Sequence, residues 1–316
     1  MARPRLLFVA TEDWFFASHF LPMARAAREL DFDVAVIARE RNHRRVIEAA
    51  GVRLIALEAA AAAARMAAIA WLRGAIDGPQ VRFLFENPDD PVTLGLDPAD
   101  AAKVAIVGGA GVDPLILMPE PMPPAPPLKV ALVARLLWSK GVDLAVEAIR
   151  LARAQGARVE LTLHGAPDPS NPRAIPEETL RQWAARPGID WAGPTRDIEG
   201  VWRQHHLCIL PSRGGEGLPR TILEAAACGR PILTTDVPGC RSFVRDGQDG
   251  MVVPANDAAA LAQALIVLSR APALAERMGA SARARLIDGH TERDVMNAVK
   301  ALYRNLLARP TMDIVA

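Results

Sequence analysis

Short apolar runs alternate with amphipathic stretches in the first half of the chain. Helical periodicity in SHFLPMARAAREL and in RNHRRVIEAAG separates the runs, and Gly51 is well placed to end the second of these helices. The strand-like runs are RLLFVA at 5–10, DVAVIA at 33–38, VRLIALE at 52–58, VRFLFEN at 81–87 and KVAIVGG at 103–109. This alternation predicts a parallel sheet covered by helices.

The same alternation returns in the second half, after a change of composition. PEPMPPAPP at 119–127 is too rich in proline for a helix or an inner strand, so we expect a stiff, extended connector. The later strand-like runs are KVALVAR, RVELTLHG, IDWAG and LCILPS, and the predicted helices span 142–155, 177–185 and 198–205. Two α/β domains joined in this way would form a cleft between the carboxyl ends of their strands, where small ligands bind.

Composition narrows the class of protein. With 316 residues, 51% hydrophobic and 23% charged, the chain can form two domain cores, and its net charge of +1 gives no general case for nucleic acid binding. The three cysteines, Cys208, Cys228 and Cys240, lack the spacing of a zinc site or a disulfide framework. A reducing, cytoplasmic location fits this cysteine usage best.

Two segments could suggest a membrane connection. The N-terminus begins with basic residues and an apolar run, but Glu12 and Asp13 interrupt the run early, so a buried first strand explains it better than a signal peptide. The apolar stretch at 54–76 contains three charged residues and is rich in alanine, which favours a helix packed on a sheet. An interfacial membrane helix is the less favoured alternative.

Two cations stand at a predicted strand-to-helix turn of the second half. In VALVARLLWSKGVDLAVEAI, Arg135 follows a strand and Lys140 precedes a helix. Near the positive end of a helix dipole, such a pair suits a diphosphate. The alternative is that Lys140 is a solvated loop residue and Arg135 pairs with a local carboxylate.

The stretch GGEGLPRTILEAAACGRPI adds two carboxylates to this picture. It predicts a glycine loop and then a helix, with Pro219 at the first helical position and Glu216 in the loop. Glu224 lies about two turns further on, and an ionised carboxylate there could accept both hydroxyls of a ribose. The alternative is a buried carboxylate paired with Arg220 or Arg230.

These segments together resemble the donor domain of family 4 glycosyltransferases, retaining enzymes of the GT-B fold. The resemblance spans residues 128–303 and is carried by VARLLWSKG, LTLHGAP, WAGPTRDIEGVWRQHHLCILPSR and EGLPRTILEAAACGRPILTTDVPG. It implies two Rossmann-like domains that face a cleft. The implied boundaries are an abbreviated N-terminal domain at 1–118, a linker at 119–127, a donor domain at 128–294, and a C-terminal helix at 295–316 that can cross back to the first domain.

The resemblance also implies roles for individual residues. Arg135 and Lys140 match the cations that hold the donor diphosphate and stabilise the departing nucleoside diphosphate. Glu224 matches the carboxylate on the ribose, and Glu216 the one near the hydroxyls of the donor sugar. The remaining matches are the backbone of Gly217 and Leu218 beside the sugar and phosphate, and Arg196 and Asp197 near the base.

The implied reaction is sugar transfer with retained anomeric configuration, from a UDP- or GDP-linked donor, with no cofactor and no metal. Electrostatic stabilisation by Arg135 and Lys140 would then matter more than a covalent nucleophile. The expected acceptor is a polysaccharide, a glycolipid or a lipid-linked oligosaccharide precursor. We expect a cytoplasmic enzyme, with peripheral association at the inner face of the membrane and a partner chain as open alternatives.

The first half contains LLFVATEDWFFASHFLPMARAARELDFDVAVIA and FLFENPDDPVTLGLDPADAAKVAIVGG. In these segments it resembles bacterial transferases that build lipid-linked surface sugars, but the stretch between residues 57 and 81 is much shorter than in that family. His19 is the one histidine close to the first strand, so we consider it a catalytic candidate that could face the cleft, with a structural role as the alternative. Glu12 and Asp13 are candidates for contacting an acceptor hydroxyl, or else solvated loop charges.

The shortened half also leaves open a non-catalytic nucleotide-sugar-binding protein or accessory subunit. A Rossmann dehydrogenase is disfavoured, because ATEDWFF stands where GxGxxG would follow the first strand.

Overall fold

The computed structural model describes residues 3–56, 82–93, 95–168, 171, 173–215 and 217–308. The chain divides into two compact units. The first comprises Met1–Phe85, Asp89–Ala110 and Glu292–Ala316, and the second comprises Glu86–Pro88 and Gly111–Thr291. Residues 57–81 lie outside the described residues. They include most of the helix predicted at 54–76 and the stretch that we identified as shortened.

The apolar runs of the sequence form strands. In chain order the strands are β1 (Arg5–Glu12), β2 (Asp33–Arg39), β3 (Arg53–Ala56), β4 (Phe83–Phe85), β5 (Val104–Ile106), β6 (Leu128–Val133), β7 (Val159–His164), β8 (Ile189–Gly193), β9 (Leu207–Leu210), β10 (Ile232–Thr235) and β11 (Gly250–Val253). Every pairing between these strands is parallel. The α/β interpretation of the sequence is therefore confirmed.

The periodic stretches between the strands form helices. They are α1 (Asp13–His19), α2 (Leu21–Glu29), α3 (Arg44–Ala49), α4 (Asp89–Thr93), α5 (Val142–Ala154), α6 (Glu177–Ala184), α7 (Ile198–Gln204), α8 (Arg220–Ala227), α9 (Pro238–Arg241), α10 (Ala258–Arg270), α11 (Pro272–Ile287) and α12 (Glu292–Leu307). A 3-10 turn, Trp138–Lys140, precedes α5. One prediction was wrong by a position: Pro219 has extended backbone and caps α8 from outside, so Arg220 is its first residue.

The first unit contains a sheet in the order β1–β2–β3 and the pair β4–β5. The terminal helix α12, which we expected to return to the first domain, is part of this unit. Its apolar face buries Val295, Val299 and Tyr303, and the Tyr303 ring lies 5.3 Å from the Phe32 ring between centroids. Burial of such side chains is the main force that holds a helix to a core.

The second unit contains a six-stranded sheet in the order β11–β10–β9–β6–β7–β8. Strand β6 lies inside this sheet, and its residues alternate between two apolar cores. Val130 and Leu132 pack in the core that includes α5 and α10, whereas Ala131 packs in the core that includes α7 and α8. A parallel sheet with both faces covered needs such continuously apolar strands, which explains why KVALVAR shows no polar alternation.

The proline-rich segment at 119–127 forms neither helix nor strand and is counted with the second unit, because the division falls between Ala110 and Gly111. Arg230 connects this segment to the second unit. Its guanidinium is buried and donates to the carbonyl of Trp202 at 2.7 Å and to that of Glu120, in the segment, at 2.8 Å. The expected connector is thus held against the rest of the second unit by hydrogen bonds to its backbone.

The three cysteines are free and buried. Among the helices that the structure describes, none is by itself long and apolar enough to span a membrane; α10 and α11, bent by 106° at their break, would qualify as a pair on length and composition alone.

Candidate functional site

The sheet of the second unit has a switch point beside β6. From β6 the chain moves to β7 and β8 on one side, and then crosses to β9 and β10 on the other. In open α/β sheets, ligands bind at the carboxyl ends of the strands where the order reverses. The described segments at this place are residues 134–141, after β6, and residues 211–215 and 217–219, after β9.

These two segments are joined by hydrogen bonds. The Arg213 N–H donates to the Ser139 carbonyl at 2.8 Å, and the Arg213 guanidinium donates to the Trp138 carbonyl at 2.5 Å. The same guanidinium holds both carboxylate oxygens of Asp143 at 2.8 Å. Sequence reasoning missed Arg213 and Asp143, because they are 70 residues apart and no spacing rule connects them. The pair keeps the two sides of the switch point together.

Gly141 brings the segments closer still. Its φ is +68°, and a Cβ at this position would lie 1.9 Å from the Pro211 carbonyl oxygen. Both the left-handed backbone and the close approach require glycine here. Lys140 precedes this glycine, so its place at the start of α5 is set by the contact with Pro211.

The predicted cations both follow β6. Arg135 lies two residues beyond the strand and pairs with Asp168 at 3.3 Å, with side chains 40% and 23% exposed. The local carboxylate that we considered as an alternative therefore exists. Lys140 is the last residue of the 3-10 turn and is partly exposed at the N-terminal end of α5. A helix N-terminus favours anions, so the position remains suited to a phosphate group.

Glu224 lies in α8, and the opposite side of this helix packs in the core. Its side chain is 13% exposed and pairs with Arg220 at 2.9 Å. Burial raises the pKa of Glu224, and the positive charge of Arg220 opposes that rise. Of the two partners that the sequence left open, the structure selects Arg220, because Arg230 is occupied by backbone carbonyls.

The backbone ahead of α8 carries a contact that the sequence did not suggest. The Leu218 N–H donates to Glu86 Oε2 at 3.0 Å, and a Cβ on Gly217 would lie 1.8 Å from that same oxygen. Glu86 follows β4 and is counted with the second unit. The predicted strand FLF could have directed attention to the residue after it, but nothing in the sequence pairs it with Leu218.

Glu216, Arg196 and Asp197 are the predicted residues for the donor sugar and the nucleotide base. Glu216 lies outside the described residues. Arg196 is exposed. Asp197 caps α7, because its carboxylate accepts the Gly200 N–H at 2.8 Å. That hydrogen bond gives Asp197 a structural task, and its expected role near a nucleotide base stays a prediction.

The candidates of the first unit have local partners. In α1, His19 Nδ1 lies 2.6 Å from the Ser18 hydroxyl, and the imidazole ring packs 4.5 Å from the Phe15 ring. Asp13 is fully buried and accepts the N–H groups of Arg41 and His43 at 2.8 and 2.9 Å. Those hydrogen bonds lower the pKa of Asp13 against the effect of burial, which acts to raise it.

Both expectations for Asp13 were therefore wrong: it is neither a solvated loop charge nor accessible to an acceptor, and it anchors the turn after β2. The side chain of Glu12 lies outside the described part of the structure. Within the described ranges, no cluster of three or more His, Cys, Asp or Glu residues could hold a metal ion.

Comparisons with known proteins identify the class. Residues 127–271 match the family model described as "Glycosyl transferases group 1". Residues 127–271 are therefore similar to group 1 glycosyltransferases, and this region contains most of the motifs that carry the resemblance.

Solved structures show the fold. A glycosyltransferase from Rickettsia africae ESF-5 aligns over 98% of this chain and 100% of its own, with a TM-score of 0.77 and 14% identity. Anabaena Alr3699/HepE, solved in complex with UDP and glucose, covers 97% and 100%, with a TM-score of 0.70 and 13% identity. The chain has the GT-B fold of these glycosyltransferases.

Among curated sequences, the chain is similar to the Escherichia coli (strain K12) protein named "Putative colanic acid biosynthesis glycosyltransferase WcaL". The two are 34% identical over 176 residues, which is 53% of this chain and 42% of WcaL. The chain thus spans less than half the length of this relative.

Proposed function

We propose that the chain is a retaining glycosyltransferase that transfers a sugar from a UDP- or GDP-linked donor to a polysaccharide, a glycolipid or a lipid-linked oligosaccharide precursor. The observation that carries the proposal is the arrangement at the switch point of the matched domain. Arg135 and Lys140 follow β6, and Leu218 and Glu224 follow β9. This arrangement supplies cations for a diphosphate, backbone donors, and a carboxylate for a ribose diol.

In the proposed reaction the bond between the anomeric carbon and the donor diphosphate breaks, and its electron pair leaves with the phosphate oxygen. Arg135 and Lys140 stabilise the negative charge that grows on that oxygen. An acceptor hydroxyl then bonds to the anomeric carbon from the same face, and its proton passes to the departing diphosphate oxygen. Positive charge on the sugar and negative charge on the diphosphate develop together, so electrostatic stabilisation lowers the barrier without a covalent nucleophile.

Glu224 has a binding task in this scheme. A carboxylate only accepts hydrogen bonds, and two hydroxyls of a ribose are two donors. Its pairing with Arg220 favours the ionised form that such binding requires. The complex of HepE with UDP and glucose supports a nucleotide-sugar donor, and the name of WcaL, which refers to colanic acid biosynthesis, supports a glycan acceptor. We propose a cytoplasmic location for this activity.

The test uses the donor alone, because water can replace an unknown acceptor. The purified 316-residue chain is titrated with UDP and GDP by calorimetry, and release of nucleoside diphosphate from UDP-glucose and GDP-mannose is then measured. We expect Lys140→Ala and Glu224→Gln to reduce both binding and release. Lys129→Ala, near the amino end of the same strand β6, and Glu147→Gln, in an exposed pair with Arg150, are the matched controls.

The outcomes separate the functions. Release that survives in a Lys140→Ala, Glu224→Gln double variant contradicts the proposal. Tight binding of a nucleoside diphosphate, with neither hydrolysis nor transfer to a panel of sugar and polyprenyl-diphosphate acceptors, would instead support a non-catalytic nucleotide-sugar-binding protein.

A further inference from the structure

Glu86 accepts a hydrogen bond from a backbone N–H that the donor is expected to use. Its Oε2 accepts the Leu218 N–H at 3.0 Å, immediately before the Pro219 cap of α8. Leu218 itself is buried, so the direction of its N–H is fixed by packing. A helix N-terminus stabilises negative charge nearby. The carboxylate therefore stands where an anionic or hydroxyl group of a ligand would gain most.

Gly217 is matched to this carboxylate. A Cβ at Gly217 would meet Glu86 Oε2 at 1.8 Å, Cδ at 2.9 Å and Cβ at 3.4 Å, and these are its three nearest atoms. Gly217 does not have the left-handed backbone that glycine serves at Gly141. What glycine supplies at position 217 is therefore space, and in this structure Glu86 fills that space.

We propose that Glu86 is an internal ligand of the donor site, whose carboxylate holds the Leu218 N–H until the donor nucleotide sugar displaces it. This inference rests on the proposed function. A backbone N–H has one proton and makes one strong hydrogen bond. A carboxylate beside a diphosphate site also repels the incoming charge. Donor and Glu86 therefore exclude one another at Leu218.

Mutual exclusion has a measurable consequence. The donor binds the fraction of molecules in which Glu86 has left, so its apparent affinity is reduced by that fraction. Removal of the carboxylate removes the competition. A hydrogen bond to a charged group is lost in Glu86→Ala, and we expect the dissociation constant for nucleoside diphosphate to fall roughly tenfold. In Glu86→Gln an uncharged oxygen still competes, so the fall should be about threefold.

The experiment titrates the wild-type 316-residue chain, Glu86→Ala and Glu86→Gln with UDP, and with GDP as a second probe. Glu147→Ala, an exposed glutamate of α5, is the control and should bind like the wild type. Hydrogen exchange of the peptide that contains Leu218 is followed in parallel. Without nucleotide it should exchange faster in Glu86→Ala than in the wild type, and nucleotide should restore protection. If Glu86→Ala does not fold, Glu86→Gln decides the affinity comparison.

Four results would overturn the inference. Unchanged affinity with a lower melting temperature would make Glu86 a structural cap. Weaker binding of UDP-glucose with unchanged binding of UDP would make it a group that recognises the sugar. If neither UDP nor GDP binds the wild type or a variant, the proposed function fails as well. If both bind, and Lys140→Ala weakens their binding while Glu86→Ala does not strengthen it, only the Glu86 inference fails.

Discussion

Arg213 and Asp143 form a bidentate salt bridge, with Nη1–Oδ1 and Nη2–Oδ2 distances of 2.8 Å. The pair connects the segment after β9 to the first turn of α5. Each side chain is only 29% exposed, so water weakens the attraction less than at an open surface. It fixes the spacing between the two groups of residues that we assign to the donor.

Arg213→Ala should therefore affect both stability and binding. We expect a loss of about 1–2 kcal/mol in the free energy of unfolding, because a two-point charged hydrogen bond is broken and Asp143 loses its partner. Nucleoside diphosphate affinity should fall as well, since the segments after β6 and β9 would separate. Urea unfolding and calorimetry measure the two effects. Arg150→Ala, which breaks an exposed pair with Glu147, should cost less than about 0.5 kcal/mol and leave binding unchanged.

Gly141→Ala tests the contact with Pro211. The new Cβ would fall 1.9 Å from a backbone oxygen, so the turn ahead of α5 must move and carry Lys140 with it. We expect a loss of about 3 kcal/mol or more in stability, together with weaker binding of nucleoside diphosphate. The control is Gly156→Ala, at φ +82° with nothing within 4 Å of the added Cβ. It should show the cost of the left-handed backbone alone, about 1 kcal/mol. Equal losses in the two variants would mean that the close approach to Pro211 contributes nothing.

Glu224→Gln should weaken binding without lowering stability. Because the pKa of Glu224 is raised, the folded protein holds its proton more tightly than the unfolded chain, so stability falls as pH rises through the folded pKa. At pH 7 the amide should unfold at the same or a slightly higher temperature. Binding should weaken roughly 10-fold to 100-fold, since a charged acceptor for two hydroxyls is lost. Stability and binding that fall together would indicate a structural residue.

His205 should make the protein sensitive to acid. The ring is buried, with Nδ1 at 2.7 Å from the Val201 carbonyl and Nε2 at 3.0 Å from the Thr162 hydroxyl, and burial lowers its pKa to about 4. The unfolded chain takes up a proton near pH 6.5. Stability is therefore full above about 6.5 and is lost as pH falls from there towards 4, by up to about 3 kcal/mol.

A His205→Asn variant keeps a donor for the Val201 carbonyl and removes the titration. Urea unfolding between pH 4 and 7 should show a shallower slope in this variant than in the wild type. Some slope should remain, because burial also lowers the pKa values of His164 and His206. An unchanged slope would contradict the assignment to His205.

The strands and helices of the second unit could be predicted closely, because their patterns are local. KVALVAR, IDWAG and LCILPS became β6, β8 and β9, and the predicted helix at 142–155 became Val142–Ala154. A buried parallel strand must be apolar on both faces, and a helix on its face must repeat every 3.6 residues. Both requirements are visible in one sequence.

The donor-side residues were predictable as a set, but their partners were not. The motif placed Arg135 and Lys140 after one strand and Glu224 after another, and the sheet order puts those strands side by side. Whether Glu224 would pair with Arg220 or Arg230 stayed open, because both are near in sequence. The competition was decided by Glu120 and Trp202, whose carbonyls bind Arg230.

The sequence by itself determined the α/β class, the elements, and the family that its ordered motifs resemble, since all of these depend on local periodicity and short spacings. Only the tertiary structure decided that Asp13 is buried under the turn after β2, and that Arg213 joins two loops at the switch point. It also placed Glu86 on the Leu218 N–H, 132 residues away. The physical reason is that such contacts depend on how whole elements pack, and no local pattern records which distant carboxylate a backbone N–H will meet.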